Sequence, residues 1–256
     1  MIATADFFGY ELPKRTIYQL VRQVGIDGIM LWWSDEFGDD SFRDNPDIAR
    51  SNGLFIENVH TPFENINDIW FDNLNGHSLT NTFMQYVDEC AERDILTMVM
   101  HLSKTYEPPP YNEIGLNRIK KIIEKAENKN VYVAFENLRR LEYLDYIMTN
   151  IDSPHAVFCY DSGHQNCWNP DIDILNKYGP RLRSLHLNDN DSTDDQHLLP
   201  FEGTLNWEYT MKKIAQTGYS GTISMETENV GYEKLTPYEF LSILFERAKI
   251  LKDLMK

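Results

Sequence analysis

Imidazole and carboxylate side chains, the usual ligands of hard or borderline metal ions, crowd the stretch Ser184 to Gly203, SLHLNDNDSTDDQHLLPFEG. A short apolar run, Leu182 to Leu187, carries His186 near its end and then breaks into a polar loop with Asp189, Asp191, Asp194, Asp195 and His197. The same composition suits a solvated acidic loop. Recurrence separates the two readings. Five further apolar runs end in, or just before, a ligand-type residue: His60, His101, Glu136, Asp161 with His164 beyond it, and Glu226. Singly, a strand-end histidine is commonly a hydrogen-bonded structural residue, and a lone glutamate a helix-cap partner. Together, acids packed around one opening repel each other unless cations or protons intervene. The spacing within two segments adds to this. In YDSGHQN, Gly163 permits a tight turn after Asp161, so that His164 can return toward the same metal or substrate. Asp195 and His197 are two apart and point the same way in an extended segment.

Positioning these residues requires strands that end together. Eight β-favouring runs alternate with helical patterns: Ile2 to Phe8, Ile26 to Trp33, Leu54 to His60, Ile95 to Leu102, Val131 to Glu136, Ala156 to Asp161, Leu182 to Leu187 and Thr222 to Glu226. Between them lie amphipathic or short helices at Lys14 to Val24, Pro46 to Asn52, Leu79 to Arg93, Glu113 to Asn128, Leu138 to Thr149, Pro170 to Tyr178 and Trp207 to Gln216. Pro237 to Met255 closes the chain as a long helix. ILTMVMHL is nearly continuous apolar sequence, as expected of a strand buried on both faces. In 256 residues this alternation predicts α/β architecture, a single (β/α)8 TIM barrel forming one domain over residues 1–256. The alternative, a doubly wound open sheet, lacks any GxGxxG or GxxxxGK[ST] phosphate loop. In a barrel the ligand-type residues fall at the C-terminal strand ends, where such folds place their active sites.

Bulk composition narrows the partners. A net charge of -16 repels a phosphate backbone and weighs against nucleic acid. No apolar run reaches the roughly 18 residues a membrane span needs, and no secretory leader is evident. Cys90, Cys159 and Cys167 are scattered, which fits reduced thiols and a cytoplasmic setting.

The stretches VHTPF, MVMHLS, VAFENL, CYDSGH, SLHLNDND, DQHLLPFEGTLNW and SMETEN make the whole chain resemble the xylose isomerase-like TIM-barrel superfamily. That superfamily includes sugar isomerases, ketose 3-epimerases, inosose dehydratases and endonuclease IV. The resemblance implies a divalent metal (Zn, Mn, Mg or Co) held, as in epimerase-type members, at positions matching Glu136, Asp161, His186 and Glu226. It implies further ligands, as in the three-zinc cluster of endonuclease IV, at His60, His101, His164, Asp195 and His197, so that one to three ions per chain are expected. Many relatives pair through barrel faces, which makes a homo-oligomer an expectation of the same kind.

Two activities fit these residues. The first is a metal-dependent isomerase or epimerase of a small sugar or polyol, with Glu136 and Glu226 exchanging the proton through an enediolate. His164 would hold a substrate oxygen, as its counterpart does in the epimerases. Trp32, Trp33, Phe63 and Trp168, on mouth loops, would form the apolar wall of the pocket. Arg139 and Arg140 would grip a carboxylate or phosphate. The second is a multi-zinc phosphodiesterase like endonuclease IV, or a hydrolase of small phosphoesters. The complete ligand set favours it, and the acidic composition opposes a nuclease.

Overall fold

Eight short runs of alternating or continuous apolar residues become eight parallel strands. These are β1 (Ile2–Ala5), β2 (Gly28–Trp32), β3 (Phe55–His60), β4 (Thr97–Met100), β5 (Tyr132–Glu136), β6 (Ala156–Asp161), β7 (Leu182–His186) and β8 (Ile223–Met225). The structure, a computed structural model, describes residues 1–37 and 41–256. The strands hydrogen-bond in the order β7-β6-β5-β4-β3-β2-β1-β8. A parallel bridge between Leu187 and Met225 links the two ends, with Leu187 N–H donating to Ser224 O at 2.9 Å and Glu226 N–H to Leu187 O at 3.1 Å. The result is a single (β/α)8 TIM barrel, as the sequence predicts.

The helices among the described residues are α1 (Lys14–Val24), α2 (Asn45–Ser51), α3 (Leu74–Glu92), α4 (Glu113–Lys129), α5 (Leu141–Asn150), α6 (Ser162–Trp168), α7 (Ile174–Tyr178), α8 (Trp207–Gln216) and α9 (Pro237–Leu254). Their caps explain most departures from the sequence reading. α3 starts five residues before the expected Leu79 because the Asn73 side chain accepts from Gly76 N–H at 2.8 Å and satisfies the first turn. α5 starts three residues late, so Asn137, Leu138 and Arg139 are free to line the strand end. The segment expected to be a tight turn at Gly163 is α6 instead, capped by the Asp161 side chain. Gly163 does not serve a left-handed turn there. A Cβ on it would lie 1.9 Å from Asn188 Oδ1, so the glycine permits close packing. The expected helix Pro170 to Tyr178 forms only from Ile174 onward, where Asp173 caps α7.

The main apolar layer lies between strands and helices, with Met98, Phe135, Phe158 and Leu185 on the sheet side and Ile119, Ile147, Ile214 and Leu244 on the helix side. A small separate cluster, Val99, Ala134, Val157 and Cys159, sits beneath the C-terminal strand ends. Alternation along the strands puts these residues on the face that carries His101, Glu136 and Asp161 one step higher. No described helix is long and apolar enough to cross a membrane.

Candidate active site

The strand ends deliver the predicted residues to one place. His60 and Glu136 end β3 and β5, Asp161 ends β6, His186 ends β7, and His101 and Glu226 lie one residue past β4 and β8. All six are buried. Glu136 is the hub. Its Oε2 lies 2.9 Å from His101 Nε2 and 3.3 Å from His60 Nε2, and its Oε1 lies 3.3 Å from both His186 Nδ1 and His164 Nδ1. His186 Nδ1 also meets Glu226 Oε2 at 2.9 Å. One ligand atom each from Glu136, Asp161, His186 and Glu226 falls within a 4.8 Å sphere of mutual distances, as do those of His60, His101 and Glu136.

The other three expected residues sit beside this group. Asp195 Oδ2 lies 3.0 Å from His164 Nε2 and 3.3 Å from His197 Nε2. Three histidines share one device: the Nδ1–H of His60, His164 and His197 donates to Thr61 O (3.1 Å), Asn137 O (2.9 Å) and Glu226 O (3.0 Å), respectively. A carbonyl only accepts, so each ring turns its Nε2 inward, toward a carboxylate. Backbone anchoring of this kind fixes the ligating nitrogen of a metal-binding histidine. An aromatic ring stacks on three of the site histidines: Trp32 on His60 (5.2 Å), Phe63 on His101 (4.1 Å) and Trp168 on His164 (4.3 Å).

Residues that the ligand pattern did not flag hold the ligands still. Asn188 Nδ2 donates to Asp161 Oδ2 at 2.9 Å, and Asn137 Oδ1 accepts from Asp161 N–H at 2.8 Å. Their only signal in the sequence is adjacency, in the FEN and HLN triplets.

The electrostatics follow from crowding. Burial opposes ionisation of Glu136, but His186 and His101 pull its carboxyl well below the usual carboxylate range. Burial likewise works against Glu226, which His186 holds down at about 2. Burial pushes Asp161 up to about 7. Burial disfavours charge on His186, His164 and His197, yet the facing acids raise all three, His197 to about 10. His101 is the exception, lowered to about 4 by burial. Protons on His186, His164 and His197 balance the acids, and a divalent cation entering the cluster would displace them. The donor set suits such an ion: carboxylates and inward-facing imidazole nitrogens converge, and Asp195 Oδ1 is sealed from solvent with no hydrogen-bond partner among the described residues.

Not every expected residue is here. Trp33 lies on the outer side of the barrel, fully buried, its Nε1–H donating to Glu89 at 2.9 Å and its ring against Phe42. It has no place in the pocket wall, because Trp32 and Trp33 alternate across the sheet. Arg140 is exposed and occupied by Glu142. Asp189 is a scaffold, its carboxylate accepting from the N–H of Asn190, Phe201 and Leu205 and from Trp207 Nε1–H. Asp191 and Asp194 are exposed. Trp32, Phe63, Arg139 and Trp168 do line the mouth, a cavity of about 320 Å3 with the histidines and Glu136 at its floor. A larger cavity of about 530 Å3 adjoins it across Phe7 and Glu228 and contains none of the clustered ligands.

Residues 18–253 match the family model described as xylose isomerase-like TIM barrel. The uncharacterized protein MJ1311 of Methanocaldococcus jannaschii is 26% identical over 190 residues, 67% of this chain and 64% of that protein. The uncharacterized protein y4fM of Sinorhizobium fredii is 35% identical over 106 residues, 39% and 34% of the two chains. Both matches thus span less than two thirds of those relatives. Among solved structures, D-psicose 3-epimerase from Clostridium cellulolyticum H10 superposes with a TM-score of 0.76 at 14% identity, covering 100% of this chain and 98% of the other. The IolI protein with a bound zinc atom does so with a TM-score of 0.78 at 16% identity, covering 100% and 98%.

Proposed function

The chain belongs to the xylose isomerase-like TIM-barrel family, and we propose that within it this protein is a divalent-metal-dependent isomerase or epimerase of a small sugar or polyol. One observation carries the reading: Glu136, Asp161, His186 and Glu226 bring a ligand atom each within 4.8 Å of one another at the ends of four consecutive strands. These four would hold the cation. A cation bound there supplies stabilisation of negative charge developing on a substrate oxygen. The chain's residues do the rest. Glu226 takes a proton from the carbon beside the substrate carbonyl, and Glu136, three strands away around the barrel, passes to the enediolate a proton supplied by His164 or His186, each 3.3 Å from its Oε1. His164 orients a substrate oxygen, and its own ring is fixed by the Asn137 carbonyl and the Trp168 face. Trp32, Phe63 and Trp168 exclude water, and Trp32 and Phe63 offer apolar surface to the C–H side of a sugar ring. Fold relatives named as sugar epimerases support the substrate class.

The test is deuterium wash-in. Metal-loaded protein with a panel of ketoses and inososes in D2O should incorporate deuterium beside the carbonyl, read by NMR. E226Q should abolish the exchange while keeping the fold. Hydrolysis of a phosphoester panel with no exchange on any sugar would overturn the reading.

A second reading, a multi-zinc phosphodiesterase, is favoured by the convergence of His60, His101, His164, Asp195 and His197 on the same mouth. The net charge of -16 steers it toward small phosphoesters and away from nucleic acid.

A further inference from the structure

We infer that Arg139 is an anion fork, and that the substrate carries a carboxylate or phosphate beside its reacting carbons. This rests on the sugar reading above and narrows it from sugars in general to acidic ones. Arg139 lines the mouth cavity together with His164 and Trp168. Its guanidinium carbon lies 3.8 Å from the centre of the Trp168 ring and 5.0 Å from that of Tyr106. Stacking fixes the plane of a guanidinium while leaving its in-plane N–H edge free, the edge that matches a carboxylate or phosphate with two parallel hydrogen bonds.

That edge is unspent. Arg139 makes no hydrogen bond or ion pair with a described residue; its Nε is buried without a partner, and its two Nη groups, equally unbonded, are the ones open to a ligand. Glu142, three residues on, is taken by Arg140, which also donates to Tyr106 O. Lys104 and Lys14, which line the mouth and the adjoining cavity, are committed as well, to Glu64 and Asp6. In a chain with 40 acidic and 24 basic side chains, an arginine left without an acid at an acid-floored mouth calls for a ligand.

Position sets the size of that ligand. Trp168 touches both His164 and Arg139, so a single indole separates the anion fork from the residue assigned to a substrate oxygen. The anionic group is therefore close to the reacting end, which describes a monosaccharide acid or monosaccharide phosphate. A cavity of about 320 Å3 has room for a molecule of that size.

Equilibrium binding to the metal-loaded protein, followed by tryptophan fluorescence and calorimetry at fixed ionic strength, tests this. The probes are D-fructose against D-fructose 6-phosphate, and D-glucose against D-glucuronate. At least one anion should bind about ten-fold or more tighter than its neutral parent, and R139Q should shrink that ratio to within about two-fold. Which anion shows the larger ratio separates phosphate from carboxylate. A neutral parent binding as tightly as its anion, a ratio that survives in R139Q, or no binding of any probe would overturn the inference. The first two of these leave the deuterium wash-in test untouched, so the two readings fail separately. The wild-type ratio needs no variant, so a poorly folded R139Q would not protect the inference.

Discussion

One set of site residues, Glu136, Asp161, His186 and Glu226, comes from β5 to β8 or the residue directly after, and all four are buried. A second set lies on connecting segments beside it, His164 on α6 and Asp195 and His197 on the loop after β7, while His60 and His101 complete the ring from the ends of β3 and β4. The side chains of Asp195 and His197 remain 17% and 21% exposed. The first set, with His60 and His101, is positioned by the sheet, whose register cannot slip without turning side chains to the other face. The second is positioned by local devices: the carbonyl anchors on Nδ1, the stacked aromatics, and Asp189 gathering its loop. On the proposed reading, such a site combines a rigid floor that would bind the ion with a wall set by loops, and variation in loops is how one barrel serves many reactions.

Breaking the floor should cost most. E226Q removes a proton-transferring group without changing shape, and turnover should fall by about 10^2- to 10^4-fold with the melting temperature little changed. Loss below about ten-fold would remove Glu226 from the chemistry.

Loosening the wall should act through stability first. Asp189→Ala strands three backbone N–H groups and the Trp207 indole N–H, and it should destabilise the protein by about 3 kcal/mol, the upper range for buried donors left unpaired. Urea unfolding measures this, and an effect under about 0.5 kcal/mol would show that water replaces the carboxylate.

The smallest effect lies beneath the mouth. Burial raises the Glu57 carboxyl above its ordinary value, with the Ser184 hydroxyl donating to it at 3.2 Å. A raised folded pKa favours the protonated folded state, so Glu57 supports the fold below the ordinary carboxylate range and loses that support as pH rises through the folded value. E57Q should therefore raise the melting temperature at pH 8 and match the parent at pH 4. Equal melting temperatures at both pH values would mean that Glu57 is adequately solvated. The contrast with Glu136 is instructive, since histidines reverse the effect of burial there and none hydrogen-bonds to Glu57 among the described residues.

Much of this was legible in the sequence because parallel strands are buried on both faces and read as apolar runs, so their last residues stand out when polar. Glu136, Asp161 and His186 were found in this way. Loops and caps were harder to read. Asn73 starts a helix five residues before the expected Leu79, and Asp161 starts one where a tight turn was expected, because a capping side chain acts through one hydrogen bond and not through a pattern. Trp33 was misplaced because a run apolar throughout does not reveal which face each residue takes. Asp189 reads like its neighbours Asp191 and Asp194, and only the fold shows that it binds four donors within the chain.

Metal content per chain, by elemental analysis of protein purified without added metal, tests the floor-and-wall account most directly. The account predicts about one divalent ion per chain, lost in H186A and retained in D195A. Near three zinc ions per chain, falling in D195A, would contradict it and make the wall part of a cluster; no ion at all would sink the metal centre itself.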